Sequence, residues 1–281
     1  MKPKVVFVLG PTSVGKTFIG VNLAKKLNGE IISADSVQVY KGLDIGSAKV
    51  KKEEMQGVVH YAIDILDPKE EFSVYEFVEY TKNKINDIVS RGKMPIIVGG
   101  TGLYVKALTQ GFNFGGTDKD QVLREKYQQL AQEKGNDYLY ELLKEKDEKL
   151  SLKTDKHNTV RLIRALEIAE NLGLKEQNEV EFDFLIVALN KDRAKLYEDI
   201  NKRVDIMLEE GLLEEVKTLK EMGLSEENQS MRAIGYKEVL KYLNGEYDYD
   251  EMVQILKQHS RNFAKRQLTF LRGMQNVNYI D

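Results

Sequence analysis

The sequence predicts an α/β protein, a doubly wound parallel sheet of the P-loop kind with an all-helical domain inserted into it. Three observations predict this. The run Gly10-Pro11-Thr12-Ser13-Val14-Gly15-Lys16-Thr17 follows the apolar stretch 5–9 directly and opens a helical segment. Strand-like and helix-like segments then alternate as far as about residue 115, which is the rhythm of βαβ units. Helical periodicity without a convincing strand fills about 118–172, and a strand-like run returns at 182–189. The order gives a first core part at 1–115, a helical insertion at 116–181, and a second core part at 182–281.

Each element has its own signal. A helix is expected over 17–27, stopping at Asn28-Gly29, where a left-handed cap fits. Residues 30–34 read as a short strand ending at Asp35. Ser73 and Glu76 form a capping box, and Val74, Phe77, Val78, Ile85, Ile88 and Val89 keep a helical stripe up to Arg91-Gly92. Residues 95–98 are a buried type of strand, broken by Gly99-Gly100-Thr101-Gly102. In the insertion, Val160, Ile163, Ile168 and Leu172 read as core packing. After the strand at 182–189, helices are expected to the end of the chain, punctuated by Gly211, Gly223 and Gly245.

Composition sets the bounds. With 281 residues and 42% hydrophobic content, the chain can bury roughly three quarters of its unfolded surface. The N-terminal apolar stretch is too short for a signal-peptide core or a membrane span, so a cytoplasmic location with no membrane partner is expected. The absence of cysteine excludes disulfides, thiolate metal sites and a catalytic thiol. A net charge of −3 does not mark a nucleic-acid binder. Its distribution is uneven, however: Lys257, Arg261, Lys265, Arg266 and Arg272 lie in a stretch without acids. That stretch reads equally as a phosphate-facing surface or a solvated helix face.

The glycine-rich loop carries the clearest chemistry. Its backbone N–H groups and the following helix end converge on an anion, Lys16 adds a point charge, and the Thr17 hydroxyl suits Mg²⁺. An ATP-hydrolysing protein normally adds a carboxylate at the end of a second buried strand. Here the strand 95–98 leads into glycines and Thr101. The carboxylate best placed after a core strand is Asp35, followed by Ser36, Val37 and Gln38, whose amide suits an adenine edge. By spacing alone Asp35 reads also as a turn or capping residue. This set favours transfer from a phosphorylated donor over ATP hydrolysis. Arg161 and Arg164, three apart, read as RNA-facing or salt-bridged, and Tyr104 and Tyr236 as base-stacking or packing residues.

Seven segments carry a family resemblance: GPTSVGKT (10–17), ISADSVQVYKGLDIGSAK (32–49), HYAIDILDP (60–68), PIIVGGTGLYVKAL (95–108), NTVRLIRALEI (158–168), RAIGYKE (232–238) and HSRNFAKRQLTFLR (259–272). In this order, across almost the whole chain, they resemble the tRNA dimethylallyltransferases of bacterial type. The resemblance implies transfer of a dimethylallyl group from dimethylallyl diphosphate to the N6 amine of the adenosine 3′ of the anticodon, by a Mg²⁺-dependent monomer without ATP. It implies a diphosphate held by Gly10 to Thr17, with Arg203 as a further cation, and catalysis by Lys16, Asp35, Thr101 and Arg203. It also implies contact with the tRNA anticodon stem-loop through Asp35, Ser36, Val37, Gln38, Thr101, Arg124, Thr159, Val160, Arg161, Leu162, Ile163, Arg164, Arg232, Lys237, Arg261 and Arg266. Two features depart from the family. Around His60, where a second His or a Pro is common, this chain reads Val59-His60-Tyr61, and the zinc-finger tail of eukaryotic relatives is missing.

Rival readings are an adenylate isopentenyltransferase acting on free AMP or ATP, a P-loop small-molecule kinase, and a non-catalytic RNA-binding P-loop protein. The long insertion and basic tail have no task in the first. Asp35 with Thr101 would have none in the last.

Overall fold

The computed structural model describes residues 2–112, 121–171 and 179–280. They fall into two compact units, residues 1–109 with 180–281, and 110–179.

The larger unit opens with β1 (Lys4–Leu9), α1 (Lys16–Lys26), β2 (Gly29–Ala34), α2 (Lys52–Met55), β3 (His60–Tyr61), α3 (Val74–Ser90), β4 (Met94–Gly99) and α4 (Gly102–Thr109). The helical unit supplies α5 (Gln121–Lys146), α6 (Glu148–Ser151) and α7 (Thr159–Asn171). The larger unit resumes with β5 (Asp183–Leu189), α8 (Arg193–Glu209), α9 (Leu212–Glu221), a 3₁₀ turn at Ser230–Arg232, α10 (Tyr236–Leu243), α11 (Tyr249–Arg272) and β6 (Val277–Ile280). Among the described residues its six strands are all parallel, in the order β3-β2-β4-β1-β5-β6.

The central strands are apolar because both their faces are covered. Val5, Phe7, Val8, Ile32, Ile96 and Ile97 are fully buried, each favouring the fold by about 1.5–3 kcal/mol over exposure. Register then aligns the ends. Leu9 lies opposite Gly99, and Gly99 opposite Ala34. The loops beginning at Gly10, Asp35 and Gly100 therefore leave the sheet level with one another at its carboxyl edge, the usual ligand edge of such sheets. Helix ends follow their local chemistry. Ser73 and Glu76 make the reciprocal capping bonds of α3, and Asn28 takes a left-handed φ of 49° after α1.

Two strands depart from the sequence reading. Helices do not run to the chain end, because Val277–Ile280 pairs with β5, Ile186 lying opposite Val277. Four residues interrupted by Asn278 show no periodicity alone; the pairing and the Asn278 bond to the Ile186 carbonyl at 3.1 Å fix the conformation. The two-residue β3 is held in the same way beside Ile31 and Ile32.

In the helical unit, α5 is interrupted at Gly135 (φ 80°). The α5, α6 and α7 segments meet over Tyr127, Leu139, Leu143, Leu150, Leu162, Ala165 and Leu166. The stripe predicted for α7 is thus rotated. Val160 is 77% exposed and is not core, Leu162 is fully buried, and Ile163 and Ile168 pack at its margin. Leu172 lies outside the described residues. Beneath the helices Glu167, 1% exposed, receives both Arg124 at 2.9 Å and Arg164 at 2.7 Å. Among the described residues no helix is long and apolar enough to cross a membrane.

Candidate active site

The loop from Gly10 turns into α1 through Gly15, whose φ of 97° places it where a side chain would be strained. Gly15 offers no side chain to cap α1, so the first amides of the helix are left to the loop. Ser13 takes a left-handed φ of 63°, and its buried hydroxyl has no partner among the described residues. A buried orphan hydroxyl inside a ring of amides fits a cradle shaped for an anion. Lys16 curls back to donate to the Pro11 carbonyl at 2.6 Å. Desolvation, helped by the nearby Arg203 and opposed by Asp35, brings its ammonium down to about 7.

Arg203 reaches the loop from α8, its Nη1 donating to the Thr12 hydroxyl at 2.8 Å. Burial pushes this guanidinium's pKa down, and the Asp35 charge opposes the shift. Two cations thus stand at the cradle with one carboxylate near both, which favours a ligand carrying more than one negative charge.

Asp35 and Thr101 flank the same edge. The Thr101 N–H donates to the carbonyl of Ala34 at 3.2 Å, so the turn after β4 is tied to the residue before Asp35. The Thr101 carbonyl accepts the Tyr104 and Val105 amides at the start of α4. Asp35 Oδ1 accepts from the Val37 N–H at 2.9 Å and the Gln38 N–H at 3.4 Å. Asp35 is therefore a turn residue through Oδ1, with Oδ2 outside that turn.

Gln38 does not offer a free amide. Its Oε1 accepts from the Ser33 hydroxyl, and its Nε2 donates to the carbonyls of Ser47 and Ala48. An adenine edge read by Gln38 would have to displace these bonds. The loop behind it is braced by Glu215, which accepts the amides of Asp44, Ile45 and Gly46 and the Tyr236 hydroxyl at 2.7–3.1 Å. Tyr236 is buried there, and Tyr104 is buried with its ring stacked on Phe77 at 3.9 Å, so both are packing residues.

The remaining basic residues divide by their partners. Arg232 donates to the carbonyls of Glu226 and Glu227, Lys237 lies 3.6 Å from Glu238, and Arg261 donates to Asn201 at 2.6 Å. Arg266 is exposed and lies over the Phe263 ring at 5.8 Å. In the helical unit Arg124 and Arg164 converge on Glu167, Thr159 donates to Asn136 at 2.9 Å, and Arg161 is exposed. His60 is turned inward, its Nδ1 2.9 Å from the Val58 carbonyl and its pKa lowered by burial.

Two residues of this region escaped the sequence reading. Glu215 sits in a glutamate-rich helix with nothing local to distinguish it. Gln267 is 8% exposed, on the buried stripe of α11 with Ala264 and Leu271. Its Oε1 accepts from the Thr12 N–H at 2.8 Å and its Nε2 donates to the Gly100 carbonyl at 3.1 Å. A polar residue at i+3 of an otherwise apolar stripe was the available signal. The Thr12 amide is accordingly engaged by the protein, and the amides facing the cradle begin at Ser13.

No group of three or more His, Cys, Asp or Glu side chains assembles among the described residues. A metal here would rest on the Thr17 hydroxyl and on ligand oxygens. Such a sparse, hard-oxygen donor set is the kind that suits Mg²⁺ beside phosphates.

Comparison with known proteins gives the family. The IPP transferase family model matches residues 38–274. A tRNA dimethylallyltransferase of Acetivibrio thermocellus is 46% identical over 99% of this chain and 91% of its own length. One of Clostridioides difficile is 46% identical over 100% and 92%. The crystal structure of a full-length tRNA isopentenylpyrophosphate transferase from Bacillus halodurans is 44% identical, covering 100% of this chain and 90% of that one with a TM-score of 0.77. A eukaryotic dimethylallyltransferase captured acting on tRNA is 31% identical, covering 99% of this chain and 74% of its own, with a TM-score of 0.86. With a family model matched over most of its length and near full-length relatives, the chain belongs to the IPP transferase family, the tRNA dimethylallyltransferases.

Proposed function

We propose that this protein transfers a dimethylallyl group from dimethylallyl diphosphate to the N6 amine of an adenosine in tRNA, next to the anticodon on its 3′ side. The observation that carries the reading is the level register of Leu9, Gly99 and Ala34, which sets the P-loop beside Asp35 and the Thr101 turn. The protein acts in the cytoplasm, as a monomer.

The geometry supports the following roles. The amides from Ser13 to Thr17 take the donor's diphosphate, with Lys16 and Arg203 on its oxygens. Thr17 would hold Mg²⁺ at this site, and the ion would supply neutralisation of charge on the leaving group. The C1–O bond of the donor breaks, its electron pair departing with the diphosphate, as the bond from N6 to C1 forms. Fixed donors aimed at that growing charge stabilise the transition state more than the ground state. The proton released from N6 passes to the Asp35 carboxylate, while its Oδ1 turn bonds hold the group in place. The Thr101 hydroxyl orients the amine. Absence of a carboxylate after β4 supports a donor that loses diphosphate over water attack on ATP.

The adenosine must leave its stack to reach this edge. Arg161, Arg232, Lys237, Arg261 and Arg266 supply phosphate contacts to the stem-loop, with Thr159, Val160 and Ile163 as neighbouring contacts beside Arg161. The deciding experiment gives labelled dimethylallyl diphosphate and Mg²⁺ to the protein with total tRNA, with AMP, or with no acceptor. Label entering tRNA alone is expected. Label entering AMP instead overturns the acceptor, and no transfer at all overturns the activity.

A further inference from the structure

Gln267 occupies a position that the proposed reaction does not explain. It lies on the buried stripe of a helix whose other face is strongly basic, and its carboxamide bridges two loops of the site. One is the P-loop, through the Thr12 N–H. The other is the turn after β4, through the Gly100 carbonyl, one residue before Thr101. Thr12 is gripped a second time through its hydroxyl by Arg203. The fit at Gly100 is close: a Cβ there would stand 2.2 Å from Gln267 Nε2. The next turn of α11 is equally near, since a Cβ on Gly102 would meet the Phe270 ring at 2.7 Å.

We infer that Gln267 is a positioning residue which fixes the P-loop and the Thr101 turn relative to each other and ties both to α11. This rests on the proposed transfer reaction. The carboxamide suits the task because it accepts from one loop and donates to the other with a single planar group. Thr12 thereby belongs to the wall of the cradle, and the spacing between donor diphosphate and acceptor amine depends on a bond pair made 255 and 167 residues along the chain. The same helix carries the exposed Lys265 and Arg266 immediately before Gln267. RNA phosphates gripped there act on a rigid element that already holds both halves of the reaction site.

The test uses the full chain, dimethylallyl diphosphate and tRNA. Gln267→Met keeps the volume and removes both bonds. It should slow single-turnover transfer at saturating substrates by about 10–100-fold, the scale of a small misplacement of reacting groups, with tRNA affinity changed by less than about threefold. Gln267→Glu supplies the chemical control. Its neutral acid donates to Gly100 and accepts from Thr12, whereas its carboxylate loses the donor and faces a carbonyl. Its rate relative to wild type should therefore rise as pH falls, while the Gln267→Met ratio stays flat. Hydrogen exchange of the Thr12 amide, read by NMR, should be slow in wild type and faster in Gln267→Met. Wild-type turnover in Gln267→Met, a pH-independent deficit in Gln267→Glu, or an unchanged Thr12 amide overturns the inference. Wild type failing to label tRNA defeats the proposed function instead, and Thr12 exchange still decides whether Gln267 holds the loop.

Discussion

The Arg203 guanidinium donates to the Thr12 hydroxyl at 2.8 Å across 191 residues of sequence, making a cation from α8 part of the P-loop wall. Its charge faces the cradle without an ion-pair partner at bonding distance among the described residues, and burial already pushes its pKa down. An anion arriving there regains the missing partner. Arg203→Met should cut kcat/KM for dimethylallyl diphosphate by about 10²–10³-fold, the loss typical of one oxyanion donor. Steady-state kinetics with varied donor checks this, and tRNA binding should be little changed.

Lys16 should make binding of the proposed donor pH-sensitive. Its ammonium titrates at about 7 in the ligand-free protein, chiefly through desolvation. A bound diphosphate favours the charged form and raises that value, so binding above about pH 7 takes up a proton. Donor affinity should fall as pH rises, by up to about tenfold per unit. Titration calorimetry in buffers of different ionisation heat measures the uptake, and Lys16→Met should abolish it. The same shift has a folding consequence: the unfolded chain binds the extra proton between about 7 and 10.5, so stability rises with pH across that window. Lys16→Met should accordingly raise the melting temperature of the ligand-free protein at neutral pH.

The turn bonds of Asp35 and its proposed role as base separate by substitution. Asp35→Asn keeps an oxygen for the Val37 and Gln38 amides but removes the base. Single-turnover transfer should fall by about 10²–10⁴-fold, with tRNA affinity nearly intact. A rate within a few-fold of wild type would leave Asp35 as a turn residue only.

These loops were legible in sequence because their signals are local. G-x-x-x-x-G-K-T between an apolar run and a helix, and Ser73 with Glu76 before α3, are each read within a few residues. What sequence did not disclose depends on partners far along the chain. Val277–Ile280 becomes a strand only beside β5. Glu215 and Gln267 matter through amides and carbonyls of loops more than 160 residues away. The α7 stripe was misassigned at Val160 because four aliphatic residues define a period but not which neighbouring row faces the core.

Arg124 and Arg164 are ion-paired with buried Glu167, which separates them from the arginines of an open surface. Arg124→Gln with Arg164→Gln leaves that carboxylate without its two guanidinium partners. Breaking a buried pair costs about 3–5 kcal/mol. The double variant should lower stability to denaturant on that scale and expose the helical unit to proteolysis. Glu167→Gln added to it should recover part of the loss, since no buried charge then remains at that position.

Arg161 and Arg266 are the clean probes of RNA binding, because both are exposed and neither is held by a buried acid. Arg232 and Arg261 each carry a second task, binding loop carbonyls or Asn201, so their substitution mixes folding with affinity. A phosphate contact releases a counterion, and each one adds about 0.7–0.9 to the slope of log affinity against log salt. Arg161→Gln and Arg266→Gln should each flatten the tRNA slope by about that amount. Because phosphates carry no sequence, cognate and non-cognate tRNA should weaken alike, and transfer on bound substrate should keep its rate. The measurement is tRNA binding across a salt series for wild type and each variant. Slopes equal to wild type would make these side chains solvated helix faces and move the RNA surface elsewhere on the protein.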